Sequence, residues 1–184
     1  MPGGKLTSRQ LLAELDLCDE LGNTTLRLTS RQALQLHGVL KQNLREAICR
    51  INQVQLTTLA ACGDVQRNVM GCPAPYKHPI YQQVQELVDA LAQHFTPRTP
   101  AYHELWIQDP DTGEPQLAGG GPDEEVEPIY GKVYLPRKFK MAVGFASDNC
   151  VDIYTRDLGF LAVVRGGAII GYNLLVGGGQ GVTP

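Results

Sequence analysis

The chain has 184 residues, of which 43% are hydrophobic, so it is long enough to bury a core in one domain or in two small ones. Its 16 basic and 19 acidic residues give a net charge of −3, whereas a nucleic-acid-binding domain usually carries a basic excess. No stretch approaches the roughly 20 apolar residues of a membrane span, and no apolar signal-peptide core follows residues 1–5. We therefore expect a soluble, cytoplasmic protein that binds neither nucleic acid nor membrane.

The cysteines are odd in number and scattered along the chain: Cys18, Cys49, Cys62, Cys72 and Cys150. No two of them form a C-x-x-C pair, the spacing typical of zinc sites and redox motifs. The pattern predicts reduced thiols rather than a disulfide framework or a structural zinc site, and we assign no metal-binding residue. Each cysteine is expected to be a small buried hydrophobe.

Amphipathic helices are predicted in the first half of the chain from apolar residues at helical spacing. The first covers residues 8–21, with Ser8 or Thr7 as its N-cap. The second is predicted as one long helix over residues 30–54. The third, over residues 79–95, has the clearest apolar stripe and begins with a proline, which suits a first helical turn.

The second half of the chain changes to strand patterns. The predicted strands of the whole chain cover residues 24–29, 102–107, 139–145, 158–164 and 168–176. Gly166 and Gly167 are a turn signal that joins the last two strands in a hairpin. Residues 109–128 are rich in Gly, Pro and acids, which predicts an exposed loop. Helices followed by mostly hairpin-linked strands favour an α+β architecture.

The first two charged segments place cations near possible anion sites. In the segment 26–38, strand alternation puts Arg27 and Thr29 on one face, and Arg31 and Gln35 share a face of the predicted helix, whose N-terminus adds backbone donors. This arrangement suits an anion, but a solvated basic face explains the segment at least as well. Arg67, in the segment 62–70, lies in a stretch without periodicity and is predicted to be on a loop.

The third charged segment, residues 134–140, contains Arg137, Lys138 and Lys140. Period-2 alternation puts the two lysines on one face of a strand and Phe139 on the other. Two lysines on one face repel each other unless an anion lies between them. An edge strand protected by lysine explains the pattern equally well.

The fourth segment is a buried strand that runs into Gly177, Gly178 and Gly179. Residues without side chains let a ligand approach the backbone N–H groups. The alternative is a flexible tail, because a glycine run alone is weak evidence for a binding site.

Taken in order and at these spacings, the four segments resemble the sulfite and nitrite reductase haemoprotein family over nearly the whole chain. Leu-Arg-Leu-Thr-Ser-Arg-Gln followed by Gln-Leu-His-Gly is similar to the end of that family's ferredoxin-like half-domain. Cys-Gly-Asp-Val-Gln-Arg-Asn-Val, Leu-Pro-Arg-Lys-Phe-Lys and Leu-Leu-Val-Gly-Gly-Gly resemble landmarks of its siroheme-binding domain. The resemblance implies a ferredoxin-like half-domain over residues 1–50 and a mixed α/β siroheme-binding domain with antiparallel strands over residues 51–184.

The resemblance also implies a role for each matching position. Siroheme is a tetrapyrrole rich in carboxylates, which arginine binds well through paired hydrogen bonds. The positions that match those holding the macrocycle are Arg27, Thr29, Arg31, Gln35, Arg137, Gly177, Gly178 and Gly179. Arg67, Lys138 and Lys140 match the face where the substrate anion binds, and there they would attract the anion, stabilise negative charge and supply protons. The lysine pair favours sulfite, because plant-type nitrite reductases usually have asparagine at the second lysine.

Some family features are expected outside this chain. The family has a further active-site arginine just before the Pro-Gly-Gly sequence. Its cluster cysteines, spaced C-x5-C and C-x3-C, follow the glycine run, and neither spacing occurs among the cysteines here. The resemblance therefore implies a 4Fe-4S cluster in the full-length protein, with ligands absent from this chain, and a chain that does not complete the reaction alone.

The function implied is that of part of an assimilatory sulfite reductase haemoprotein, which catalyses the six-electron reduction of sulfite to sulfide. Its electrons would come from a flavoprotein that uses NADPH, or from ferredoxin. Two alternatives stay open: a nitrite reductase of the same family, and a truncated, non-catalytic module that binds siroheme or another anion.

Overall fold

The computed structural model describes residues 1–99, 104–109, 111–120 and 126–178. Its helices are α1 (Ser8–Glu20), α2 (Leu44–Gln53) and α3 (Pro79–Phe95), and its strands are β1 (Leu26–Leu28), β2 (Leu34–Leu36), β3 (Glu104–Gln108), β4 (Pro115–Gly120), β5 (Met141–Phe145), β6 (Leu158–Arg165) and β7 (Ala168–Val176). Short 3-10 turns occur at Pro2–Gly4, Lys41–Asn43 and Ile153–Thr155. Helices with mixed and antiparallel sheets confirm the predicted α+β class.

Helix α1 forms where it was predicted, and its cap is Thr7 rather than Ser8. The Thr7 hydroxyl accepts from the backbone N–H of Gln10 at 3.2 Å, and the Gln10 side chain accepts from the backbone N–H of Thr7 at 3.0 Å. This reciprocal pair satisfies two donors that the first helical turn leaves unpaired. Leu17 of α1 is fully buried and packs with Ala47 and Ile51 of α2 in a small core.

The predicted helix over residues 30–54 is wrong in its first part. Residues 34–36 form β2, which pairs antiparallel with β1, and α2 begins only at Leu44. Gln32 and Gly38 have φ values of 56° and 72°, outside the right-handed helical region, so a helix cannot pass through either position. The alternation of Leu34 and Leu36 about Gln35 equally suits a strand, and pairing with β1 selects that structure.

The main sheet has the order β5-β6-β7. β6 and β7 form the predicted hairpin, with both Gly166 and Gly167 at positive φ, whereas β5 lies parallel to β6. Every residue of β5 is buried. One face packs against α3, where Val143 meets Val84 and Val88. The other packs against residues of neighbouring loops.

Strand β5 begins later than predicted, so Lys138 and Lys140 precede it rather than lie on its face. β5 is also not an edge strand, because Met70 hydrogen-bonds to it on the side opposite β6, through Met70 N–Met141 O (3.2 Å) and Val143 N–Met70 O (2.9 Å). The residue before Lys140, Phe139, pairs with Gln66 in an isolated parallel bridge. An edge protected by lysine is therefore not the reason for the two lysines.

The predicted exposed loop over residues 109–128 is wrong in two places. Residues 115–120 form β4, which pairs antiparallel with β3, and residues 121–125 lie outside the described part of the chain, as do residues 102 and 103 of a predicted strand. Glu127 is buried and accepts hydrogen bonds from the backbone N–H groups of Arg98, Thr99 and Ile129. Burial acts to raise the pKa of Glu127, but these bonds outweigh it and hold that pKa below its ordinary value.

All five cysteines are free, as predicted. Cys18 and Cys72 are buried, whereas the prediction of burial is wrong for Cys49, Cys62 and Cys150, which are exposed. These three lie on solvent-facing positions of helix α2 and of loops, where no core packs over them. Among the described residues, no helix is both long and apolar enough to cross a membrane.

Candidate functional site

The turn between β1 and β2 fixes the position of Arg31. Thr29 organises this turn, because its hydroxyl accepts from the backbone N–H groups of Arg31 at 3.3 Å and of Ala33 at 3.2 Å. The backbone N–H of Thr29 also donates to the carbonyl of Ala33 at 2.8 Å. A threonine that satisfies turn donors in this way favours the turn over a continuing helix. Arg31 therefore leaves a tight turn, not a helix face as predicted.

The guanidinium of Arg31 is only partly satisfied. Its Nη2 donates to the backbone carbonyls of Asn68 at 2.6 Å and of Met141 at 3.1 Å. Its Nε and Nη1 are buried and have no hydrogen-bond partner among the described residues. A buried charged donor without an acceptor is costly, so these two atoms indicate a place for an anionic acceptor.

Neighbouring charges act on Arg31 as well. Burial and then the cation of Arg156 are the main causes that lower its pKa to about 10. Asp157 acts in the opposite direction, and Arg67 again lowers the pKa. Arg31 thus lies in a predominantly positive environment, although arginine stays protonated at neutral pH.

Arg67 is held to its own loop. Its Nη1 donates to the carbonyl of Ala61 at 2.6 Å and its Nε donates to Gly63 at 3.1 Å, while its backbone N–H donates to Phe139 at 2.8 Å. A cavity of ≈ 120 Å³ borders Arg67 and Asn68. The loop assignment made from the sequence agrees with this position.

Lys140 lies beside Asp157, and the charge of Arg31 affects it. It is half-buried, and its backbone N–H donates to Asp157 Oδ2 at 2.7 Å. Burial lowers the pKa of Lys140, as do the charges of Lys138 and Arg31, and Asp157 partly offsets them. Residues from separate segments of the sequence therefore act on one another electrostatically. We call Arg31, Arg67, Lys138, Lys140 and Arg156 the cation cluster, with Asp157 as its acidic member.

Sequence reasoning missed Arg156 and Asp157. Arg156 donates through Nε and Nη2 to the carbonyl of Val151, at 3.1 and 2.7 Å, which holds its guanidinium against a loop. The available signal was an Arg-Asp pair directly before a buried strand, but such a pair is also common at the surface. Its importance follows from the fold, because the charges of Arg156 and Asp157 affect the pKa values of Arg31 and Lys140, and Lys140 N–H donates to Asp157.

The glycine run passes beside Arg156. Gly177 donates its N–H to the carbonyl of Asp157 at 3.1 Å. At Gly178, φ is +83° and a Cβ would lie 2.5 Å from the carbonyl oxygen of Tyr154, so only glycine fits. The backbone here comes close to the cation cluster without a side chain in between. Gly179 lies outside the described residues.

The structure does not bring every predicted residue to this cluster. Arg27 and Gln35 are exposed and face each other as cross-strand partners in the β1–β2 pair. Arg137 is exposed, and among the described residues it makes no hydrogen bond or ion pair. These three stay predictions that rest on the family resemblance alone.

A mainly apolar groove forms a different surface. It has a volume of ≈ 460 Å³ and lies between β2 and α2, where Leu36, Ile48 and Ile51 make it mainly apolar. Gln35 reaches this groove and so does the buried carboxyl of Glu14, whose pKa burial raises. Arg31 Nε and Nη1, the buried guanidinium atoms that lack an acceptor among the described residues, belong to the cation cluster and not to this groove.

Two sequence profiles cover most of the chain. The profile described as "Nitrite and sulphite reductase 4Fe-4S domain" matches residues 62–184. The profile described as "Nitrite/Sulfite reductase ferredoxin-like half domain" matches residues 1–54. The chain belongs to the nitrite and sulfite reductase family. The resemblance read from the four segments is thereby confirmed.

Curated relatives of this family align along the full chain. The sulfite reductase (NADPH) hemoprotein beta-component of Bacillus subtilis is 45% identical over 183 residues, and that of a Paenibacillus species is 49% identical over 183 residues. Each alignment covers at least 99% of this chain but 31% of the relative, so the chain spans about a third of the length of these proteins. A solved structure, the NirA protein of Mycobacterium tuberculosis, matches the fold with a TM-score of 0.67 and 24% identity, over 97% of this chain and 27% of that one.

The residues present fit one of the two cofactors of this family and not the other. Siroheme carboxylates suit the unpaired Nε and Nη1 of Arg31, and the backbone at Gly177 is open, with nothing within 4 Å of where a Cβ would lie. A 4Fe-4S cluster takes four cysteine ligands, and among the described residues the one group of possible metal ligands contains two cysteines, Cys72 and Cys150. The cysteines of this chain therefore do not make a 4Fe-4S site.

Proposed function

We propose that this chain is part of a sulfite reductase haemoprotein and that its cation cluster binds the carboxylates of siroheme and the substrate anion. The observation that carries the proposal is the guanidinium of Arg31, which is buried with Nε and Nη1 lacking an acceptor. A cation of this kind, with Arg67, Lys140 and Arg156 close enough to affect its pKa or that of a neighbour, favours binding of a multiply charged anion. The names of the curated relatives support the same activity.

The cofactor-binding residues follow from this proposal. Arg31 would hold a siroheme carboxylate through its two free donors, and Thr29 would keep Arg31 in position through the turn. Gly177 would let the macrocycle approach the backbone, because nothing lies within 4 Å of where its Cβ would be. Gly178, proposed as a contact from the resemblance, lets the chain pass close to the carbonyls of Tyr154 and Arg156. We propose Arg27, Gln35, Arg137 and Gly179 as further contacts from the resemblance. We also propose the division near residue 50 between the half-domain and the siroheme-binding domain.

We propose that Arg67, Lys138 and Lys140 bind the substrate anion. Siroheme, when bound, would supply the iron that takes up sulfite and would pass on the electrons that an external donor provides. The cations draw the anion to the site and stabilise the negative charge that develops during reduction. Because its pKa is lowered, Lys140 releases a proton from Nζ more readily than an ordinary lysine, which suits a donor to oxygen that departs as water.

Substrate, donor and compartment belong to the same proposal. We infer sulfite rather than nitrite from the pair Lys138 and Lys140. The electron donor would be a flavoprotein that uses NADPH, as the relatives' names indicate, or ferredoxin. We also place the protein in the cytoplasm. Nitrite reduction and a non-catalytic siroheme-binding module are the outcomes that the following experiments separate.

The first experiment is a siroheme titration of the 184-residue chain, followed by visible absorption. Binding should shift the cofactor's Soret and far-red bands with saturation at one siroheme per chain. Lys132→Gln, an exposed lysine outside the cation cluster, is the control and should bind like the parent. Spectra that do not change on addition of the chain would contradict the binding part of the proposal.

The second experiment measures activity in the longer protein that contains this chain. Lys140→Asn should reduce sulfite turnover more than nitrite turnover, because it removes the second lysine while leaving Lys138. Lys132→Asn should leave both unchanged. Equal losses on the two substrates would show that Lys140 does not discriminate, and siroheme binding without reduction of either anion would favour the non-catalytic module.

A further inference from the structure

A second group of chemically active side chains lies outside the cation cluster. Cys72 is buried just before helix α3, and Asp148 and Cys150 lie on the loop after β5. One ligand atom from each of the three, a thiol sulfur from each cysteine and a carboxylate oxygen from Asp148, lies within 4.8 Å of the other two. The three residues come from segments 76 positions apart, so the fold and not the local sequence assembles them.

The spacing is that of ligands around one small cation. Cys72 Sγ lies 3.4 Å from Asp148 Oδ2. A tetrahedral zinc ion, with bonds of about 2.3 Å to sulfur and about 2.0 Å to oxygen, would separate two such ligand atoms by about 3.5 Å. The pair therefore needs almost no rearrangement to share a cation.

Hydrogen bonds hold the carboxylate in place. Asp148 Oδ2 accepts from the hydroxyl of Tyr81 at 3.4 Å, and Oδ1 accepts from the backbone N–H of Cys150 at 3.3 Å. The carbonyl of Cys72 accepts from the Gln85 side chain at 2.7 Å, which anchors the other side. Outer contacts of this kind orient the ligands of protein metal sites.

We propose that Cys72, Asp148 and Cys150 bind one divalent, thiophilic cation of the zinc class. Two thiolates and one carboxylate favour such an ion over magnesium or calcium, which prefer oxygen ligands alone. Cys150 is exposed, so the ion has a path of entry and a fourth position open to water. This site is separate from the siroheme proposal and does not depend on it. It also revises the prediction, made from spacing alone, that the chain has no metal ligand.

The test uses the untagged, siroheme-free 184-residue chain, kept reduced with a phosphine and freed of metal with a chelator. Zinc is titrated against a chromophoric chelator, and cobalt is used as a spectroscopic probe. The parent should bind one zinc ion and, with cobalt, show cobalt–thiolate charge-transfer absorption with the d–d bands of a tetrahedral site. Cys150→Ser should lower zinc affinity at least ~10-fold and weaken the charge-transfer band.

Two further variants make the result specific. Cys49→Ser removes an exposed cysteine outside the group and should bind like the parent. Asp148→Asn keeps the shape of the side chain while removing its charge, and it should also lower zinc affinity. Zinc binding that is the same in the parent, Cys150→Ser and Asp148→Asn would overturn the proposal, as would a cobalt complex without thiolate absorption.

Discussion

Arg31 and Asn68, which are 37 residues apart, hold each other in place from both sides. Arg31 Nη2 donates to the backbone carbonyl of Asn68 at 2.6 Å, and Asn68 Nδ2 donates to the backbone carbonyl of Arg31 at 2.8 Å. Asn68 Nδ2 also lies within hydrogen-bond distance of the carbonyls of Gln32 and Met1. The β1–β2 turn and the loop that carries Arg67 are therefore one unit, which is how residues from separate segments reach one site.

Asn68→Ala should destabilise the chain, because it removes the amide that joins the turn to the loop. We expect a cost of about 1–3 kcal/mol, or a fall in Tm of roughly 2–10 °C. Thermal unfolding followed by circular dichroism measures it. Asn52→Ala is the matched control, because the Asn52 side chain is exposed and donates to Ile48 O within its own helix, so it links no separate segments. A change in Tm no larger than that of the control would show that the link does not matter.

Lys140→Gln should raise the Tm of the siroheme-free chain at neutral pH by about 1–2 °C. Folding lowers the pKa of Lys140 from its ordinary 10.5, through burial and then through Lys138 and Arg31. The charged lysine therefore costs stability at every pH below its folded pKa, and this cost disappears as the pH rises past 10.5. The gain in the variant should shrink accordingly in alkaline buffer. Lys132→Gln should show no such gain at neutral pH.

Gly178→Ala should destabilise the chain much more than Gly166→Ala. Both glycines have positive φ, so both substitutions carry the same kind of backbone cost, of about 1 kcal/mol. At Gly178 the added Cβ would also lie 2.5 Å from Tyr154 O and 2.7 Å from Arg156 O, whereas at Gly166 nothing lies within 4 Å. Urea unfolding of the two variants measures the difference. Equal losses would mean that the backbone does not pass as close to Arg156 as the structure indicates.

Glu14→Gln should stabilise the chain at neutral pH but not in acid. Burial raises the pKa of Glu14 above its ordinary 4.5, so the folded state favours the protonated form. The free energy of unfolding of the parent therefore falls as the pH rises from about 4.5 through the folded pKa of Glu14, whereas that of the variant does not. Glu20→Gln should change the stability at neutral pH in the opposite direction, because a hydrogen bond from Arg50 and the charge of Arg50 lower the pKa of Glu20. That variant should be less stable than the parent at neutral pH, and Tm values measured across pH separate the two cases.

Local signals in the sequence predicted part of the fold well. The cap at Thr7, the apolar stripe of α3 and the glycine turn of the β6–β7 hairpin depend on residues close in sequence, and each formed as predicted. The second helix failed because the positive φ at Gln32 and the pairing of β2 with β1 come from the tertiary structure. Propensity and periodicity do not report such constraints.

The sequence likewise indicated some residues of the candidate site and missed others. Arg31, Lys138 and Lys140 were found as cations in unusual places, although each was assigned to the wrong element. Arg156 was missed, because an Arg-Asp pair on a loop has no distinguishing spacing. The Cys72–Cys150 group was missed for a related reason, since spacing along the chain cannot show that the fold brings two distant thiols together.

The central claim is that the free Nε and Nη1 of Arg31 bind a siroheme carboxylate, and the affinity of siroheme for Arg31→Lys tests it most directly. Lysine keeps the positive charge but lacks the planar fork of donors. The measurement is the dissociation constant from visible absorption, in the parent, in Arg31→Lys and in the control Lys132→Gln, each first shown to be folded by circular dichroism. The account predicts affinity at least ~10-fold weaker for Arg31→Lys, as expected when a charge-assisted pair worth about 1.5–3 kcal/mol is lost. An affinity equal to that of the parent would contradict it.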